Sequence, residues 1–247
     1  MRRLALALLL CLCPAIAEAA DGAQFQALGY SPDSHYFAFE QFGIQDGSGF
    51  PYVDVFIIDT EKNEWVKGSP IRELLKQETA RLGAARKKAL SRAAPLLKAR
   101  GITEPAELLA ALPATQLFAG REKVSFDRFY NSMAGGAAEK PSDNNARTEL
   151  TLTATDVPMP ESCKGFAGQV RGFTLTVNRV QPPTPAVIHS DASLPDSRGC
   201  PEGYDIAAVY GPMGFSKTRR LVALIAVYAR GFEGMNRRYI AVPFADP

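Results

Sequence analysis

Three turn clusters, SPDS at 31–34, QDGSGFP at 45–51 and EKN at 61–63, divide residues 24–67 into four short runs: QFQALGY, HYFAFEQFGI, YVDVFIIDT and EWVK. Each cluster turns the chain for a chemical reason. Proline presets φ, glycine permits positive φ, and the Asp and Asn side chains bond back to nearby backbone. Runs of this length, rich in aromatic and β-branched residues, read as an antiparallel meander of the kind that forms one blade of a β-propeller. A complete propeller needs four or more blades, and the whole chain shows only about ten strand-like runs. The meander is therefore expected to be a single blade-like unit inside a smaller β structure.

The period changes over 70–112. Ile71, Leu74, Leu75, Leu82, Leu90, Leu96 and Leu97 recur at helical spacing in a background of Ala, Leu, Lys and Arg, all strong helix formers. Pro95, Gly101 and the Thr103, Glu104, Pro105 start signal divide this segment into two or three expected helices. After Pro113 the strand pattern returns in EKVSFDRFY, RTELTLTATD and QVRGFTLTVNRV, and again in DIAAVYG, TRRLVALIAVYAR and RRYIAVPF. Between these two groups, residues 181–204 (QPPTPAVIHSDASLPDSRGCPEGY) have almost no periodicity and read as a long proline-rich loop. The expected fold is α+β and mostly β, with antiparallel sheets, one blade-like meander and an inserted helical segment at 70–112. Residues 20–247 are expected to form one domain, its second sheet closed by the final hairpin.

Residues 1–19, MRRLALALLLCLCPAIAEA, combine two arginines, a short apolar run and an A-x-A ending, the pattern of a secretory signal peptide. No segment reaches the roughly 20 uncharged residues that span a bilayer, so the expectation is an exported chain in the periplasm or outside the cell. Of four cysteines, the leader removes two. Cys163 and Cys200 remain, and in an oxidising compartment they read as one disulfide. A formal net charge of +2 names no partner and gives no reason to expect nucleic acid. Charge is polarised only between Arg72 and Arg100, where nine basic residues stand against Glu73 and Glu78. That face could dock an envelope protein or an anionic surface. It carries no aromatic residue, which favours a solvated face lying over the core.

Few groupings point to chemistry. GPMGFSKT at 211–218 has Ser216 where a phosphate-binding loop needs its second glycine, and a strand-like run rather than a helix follows it. His35, His189, Cys163 and Cys200 lack the paired spacings of a zinc site, so neither metal nor other cofactor is expected. His189, Ser190 and Asp191 set a base, a hydroxyl and a carboxylate side by side, although neighbours in sequence usually point apart. The long loop is stiffened by five prolines and tied by the expected disulfide. Its charged residues Asp191, Asp196 and Arg198, with His189 as a lesser member, are the candidate binding residues.

Three stretches, GYSPDSHYFAFEQFGIQDGSGFPYVDVFIID, SDASLPDSRGCPEGY and GFEGMNRRYIAV, resemble a bacterial family of predicted secreted proteins known as domain of unknown function 2259. The resemblance spans essentially the whole chain after the leader and brings no activity, ligand or catalytic residue with it. The function expected is that of a non-enzymatic binding or interaction module of the cell envelope. The competing expectation is an exported hydrolase that uses the His189 to Asp191 loop. An enzyme of that kind needs a deep pocket where His189 meets acids from other segments, whereas a binding module should show a flat patch.

Overall fold

A computed structural model of the chain describes residues 20–77, 79–114, 120–127, 147–179, 184–213 and 220–245. The expected leader, residues 131–145 and most of the GPMGFSKT stretch lie outside the described residues. The architecture follows from the run Leu221–Val227, seven consecutive apolar residues that are all buried. A strand that is apolar at every position must be covered on both faces. This strand, β12 (Arg220–Arg230), lies inside a central antiparallel sheet ordered β13-β12-β11-β6, with β6 at Ala106–Ala111, β11 at Pro201–Pro212 and β13 at Met235–Ala245. Side chains alternate across a strand. Leu221, Ala223, Ile225 and Val227 enter one core, while Val222, Leu224 and Ala226 enter another.

The first of these cores is closed by a C-terminal sheet ordered β10-β9-β8-β7: Thr184–Ser190, Arg171–Arg179, Arg147–Asp156 and Lys123–Asp127. Phe173, Leu175 and Leu150 come from this sheet. The second core is closed by the N-terminal meander, β1 (Gln24–Tyr30), β2 (Tyr36–Ile44), β3 (Pro51–Asp59) and β4 (Glu64–Trp65), with β5 (Ile71–Leu74) also paired to β3. Phe37, Phe39, Phe56 and Ile58 supply its side. The turns do what their residues suggest. Ser31 Oγ donates to Asp33 Oδ1 at 2.6 Å and accepts the Tyr36 N–H, and Asp59 accepts the Glu61 and Lys62 N–H groups ahead of β4.

The meander is itself buried on both faces, because helix α1 (Leu82–Ala99) covers its far side. The result is four layers in the order helix, meander, central sheet, C-terminal sheet. Ala85, Ala89 and Ala93, one small residue per turn, form the fully buried line of α1 against Val53 and Val55. The leucines that carry the helical period lie only partly buried beside it.

Three expectations are corrected here. Segment 70–112 holds one helix between two strands, and Pro95 sits inside it rather than breaking it. Pro95 and Ser91, whose carbonyl the proline deprives of its helical donor, are both exposed, so the break in the hydrogen-bond ladder lies on the solvent side of the helix. The β6 run AELLAA has helical composition, but pairing with β11 overrides propensity. The long loop contains strand β10 with Pro185 in it, tolerated because β10 is the edge of its sheet. Finally, the chain after α1 builds two sheets rather than one.

The basic helix also turns inward more than its composition suggests. Arg86 pairs with Glu40, a fully buried residue of β2, and donates to Gln26 Oε1 at 2.6 Å. Lys88 and Arg92 both hold Glu73 of β5, each at 2.7 Å, and Lys88 foremost keeps that carboxyl below its usual pKa. Lys76, Arg81, Lys87 and Lys98 remain exposed. No helix among the described residues is long and apolar enough to cross a membrane.

Two glutamine substitutions separate the roles of these cations. Arg86→Gln leaves the Glu40 carboxylate buried without its partner and is expected to cost about 3 kcal/mol in urea unfolding, the low end for a broken buried pair because Arg86 is partly exposed. Lys87→Gln, one residue on and exposed, is expected to change stability by less than about 0.5 kcal/mol. Equal effects would contradict the inward placement of Arg86.

Candidate functional site

Strand β10 is bulged between Val187 and His189, two residues before its end, and bulges re-aim the side chains that follow. His189 thereby stacks on Phe173, with ring centroids 4.5 Å apart. The chain then leaves the sheet through Asp191, makes a short 3-10 turn over Asp196–Arg198 and reaches Cys200. Cys200 and Cys163 form a disulfide with a Cα separation of 5.6 Å, as their isolation in the sequence suggested.

Asp191 organises this corner. Its Oδ1 lies 2.9 Å from His189 Nε2, and its Oδ2 accepts the Phe173 N–H at 3.1 Å and Arg198 Nη1 at 3.3 Å. The Arg198 guanidinium lies over the Phe173 and Tyr204 rings, and the Tyr204 hydroxyl donates to the Arg171 carbonyl at 2.9 Å. Asp191 is 5% exposed and Arg198 10% exposed. Burial alone would raise the Asp191 carboxyl, but His189, Arg198 and the Phe173 amide outweigh it and hold the pKa below its usual value. Burial pushes the Tyr204 phenol up to about 12. Gly172 permits the close approach, since a Cβ there would stand 2.8 Å from Asp191 Cβ.

Three of the four residues singled out in the sequence thus converge: His189 and Arg198 both bond to Asp191. Asp196 stays exposed at the start of the 3-10 turn. Ser190 points elsewhere, its Oγ 3.0 Å from Thr174 Oγ1. His35 lies 3.2 Å from Asp59 on the meander, so it does not meet His189 or the bonded cysteines. Among the described residues no group of three or more His, Cys, Asp or Glu could hold a metal ion.

The corner forms one wall of a cleft of about 490 Å³. The opposite wall is Glu64 and Trp65 of the two-residue strand β4 with Asn63 of the turn before it, and the floor is Ile240, Ala241 and Val242 of β13. The floor is the edge strand of the central sheet, one wall rises from the edge strand β4 of the meander, and the other starts at His189 on the edge strand β10 and continues in the 191–198 turn beyond it. Sequence reasoning did not find Trp65, Glu64 or the β13 edge. One signal was available: Trp65 is the only tryptophan in the chain, and it is 40% exposed.

The fold and cleft define a layered antiparallel β protein with one covering helix and an open groove at its sheet edges. The chain belongs to the family described as Predicted secreted protein (DUF2259), whose model matches residues 38–244. No curated protein and no solved structure gives a match.

Two outcomes are expected here. The folded protein binds the Asp191 proton more weakly than the unfolded chain, so the unfolded state takes up more protons on acidification. The contribution is full above the unfolded carboxyl pKa of about 3.9 and is lost as pH falls through the lower folded value. Asp191→Asn, which leaves Arg198 buried without its carboxylate, is expected to cost about 3 kcal/mol near neutral pH. Urea unfolding at a series of pH values should show that deficit shrinking in acid; a pH-independent deficit would contradict the network. Replacing Cys163 and Cys200 by Ser is expected to cost about 2–4 kcal/mol, and in the untreated protein neither Cys163 nor Cys200 should be alkylated, as read by mass spectrometry of their peptides.

Proposed function

We propose that this chain is an exported, non-enzymatic binding protein of the cell envelope, in the periplasm or on the outer side, and that the cleft between β4, β13 and the 191–198 corner is its recognition site. The observation that carries this reading is how the polar groups are spent. Both oxygens of Asp191 are committed, to His189 on one side and to Arg198 and a backbone amide on the other. Ser190, the hydroxyl that a hydrolase would draw on, faces Thr174. The site is a cleft rather than the flat patch expected of a binding module, but among the described residues His189 meets a carboxylate only from its own segment. These features support a wall held rigid by its own bonds rather than a reactive centre.

What the cleft offers a ligand lies on its exposed parts: the Trp65 indole, the Glu64 carboxylate, Ser197, and an apolar floor. A groove with one aromatic surface and a few polar groups on firm elements suits recognition. Of the four residues expected to bind, three shape and stiffen the wall in this reading, and contact passes to Ser197 and to β4 opposite.

The test is a photo-reactive benzoylphenylalanine placed at Ser197, in the cleft, or at Lys87, on the helix, in exported protein. Irradiation of intact cells is expected to give a discrete adduct from position 197 and none from position 87. Adducts from neither site, or the same adducts from both, would contradict the cleft as the recognition site.

A further inference from the structure

The floor of the cleft is the outer edge of the central sheet, and part of that edge already carries an added segment. Gly22 pairs in parallel with Arg237: the Arg237 N–H donates to the Asp21 carbonyl at 2.9 Å, and the Arg237 carbonyl accepts the Ala23 N–H at 3.0 Å. These two bonds show which way the strand faces. The peptide groups of Arg237 point away from β12, and pairing of β13 with β12 is unbroken from Met235 to Ala245. The alternation of an antiparallel ladder therefore turns the peptide groups of Tyr239, Ala241, Pro243 and Ala245 outward as well.

The outward positions are treated differently. Arg237 is covered by 21–23. The Tyr239 N–H donates to Gln41 Oε1 at 2.8 Å. Pro243 has no N–H to offer. Ala241 keeps both its N–H and its carbonyl without a partner among the described residues, and it is the middle of the cleft floor. Covered, capped or proline-bearing edge positions are how sheets avoid unwanted pairing; Ala245, the last residue of β13, is likewise without an outward partner among the described residues but does not line the cleft, so Ala241 is the open position with walls built on either side.

Resting on the cleft reading above, we propose that the ligand is an extended polypeptide segment that adds to β13 as a short strand through the Ala241 N–H and carbonyl. A strand laid there continues the central sheet between its two neighbours. Its side chains alternate, one toward Trp65 and Glu64 and the next toward Ser197 and His189. Charge narrows the class. Arg198 and Asp191 neutralise each other, whereas Glu64 is exposed and has no ion pair among the described residues. The segment carries a Lys or Arg at the position facing Glu64.

The experiment uses the leaderless chain and a phage-displayed library of random heptapeptides, with the best binders resynthesised free. Because Trp65 is the only tryptophan, its emission reports occupancy of the cleft directly when the peptides lack tryptophan. The expected binders shift that emission and share a Lys or Arg at one position, a preference that Glu64→Gln removes. They also lose about tenfold or more in affinity when alternate peptide nitrogens are methylated, since each such change deletes a donor to the strand. Binders that shift Trp65 emission but tolerate methylation at every nitrogen would overturn strand addition while leaving the cleft a binding site. If no heptapeptide is selected, or if those selected leave Trp65 emission unchanged, the peptide assignment is overturned, and the adduct from position 197 then decides the cleft independently.

Discussion

The burial of β12 on both faces is the constraint from which the rest follows. Seven consecutive apolar side chains cannot be covered by one layer, so the central sheet requires a partner on each side. The meander covers one face with its aromatic residues and the C-terminal sheet covers the other with Phe173, Leu150 and Leu175. Because β2 and β3 are also apolar at nearly every position, the meander needs α1 in turn. Three sheets stacked in this way bring three edges to one side. Residues at these three edges, with the 191–198 turn, line the cleft.

Polar groups trapped between the layers fix how the layers align. Gln41 of β2 bonds Asp54 of β3 at 2.9 Å and receives the Tyr239 N–H of β13, which ties the meander to the central sheet at one register. Burial raises the Asp54 carboxyl pKa against the lowering effect of Gln41 and Arg72. Asp21 accepts from the Tyr52 hydroxyl at 2.8 Å and from Arg238 at 2.6 Å, so the segment just after the expected leader is clamped between the same two sheets. Glu40 and Arg86 do the equivalent work between the meander and the helix. Buried pairs of this kind contribute little net stability over well-packed apolar residues. Their value here is that sliding one layer past another would strand a charge.

The sequence showed the elements whose signals are local. The turn residues of SPDS and EKN gave the meander, and the two solitary cysteines gave the bridge. It misled where a tertiary contact outweighs composition. AELLAA looks helical, and it is a strand because β11 offers it an edge; Pro185 looks like a loop residue, and it sits on an outermost strand. Asp191 and Arg198 were found as a pair of charges in a proline-rich stretch, but their direction was not, since nothing in the sequence says that Phe173 and Tyr204 lie beneath them. Trp65 and Ala241 were hidden for a related reason. Neither is unusual in its own strand, and only the stacking of three sheets puts them across one cleft.

The exposed sheet edge is most directly read at one backbone N–H, that of Ala241. If three sheet edges meet as described, protection along β13 alternates: Ile240 and Val242 bond β12, Tyr239 is capped by Gln41, and Ala241 faces the cleft. Residue-resolved amide hydrogen exchange on the free protein measures this directly. The account predicts that the Ala241 N–H exchanges faster than those of Ile240 and Val242 by about two orders of magnitude or more. Protection of Ala241 equal to that of its two neighbours in the unliganded protein would contradict it.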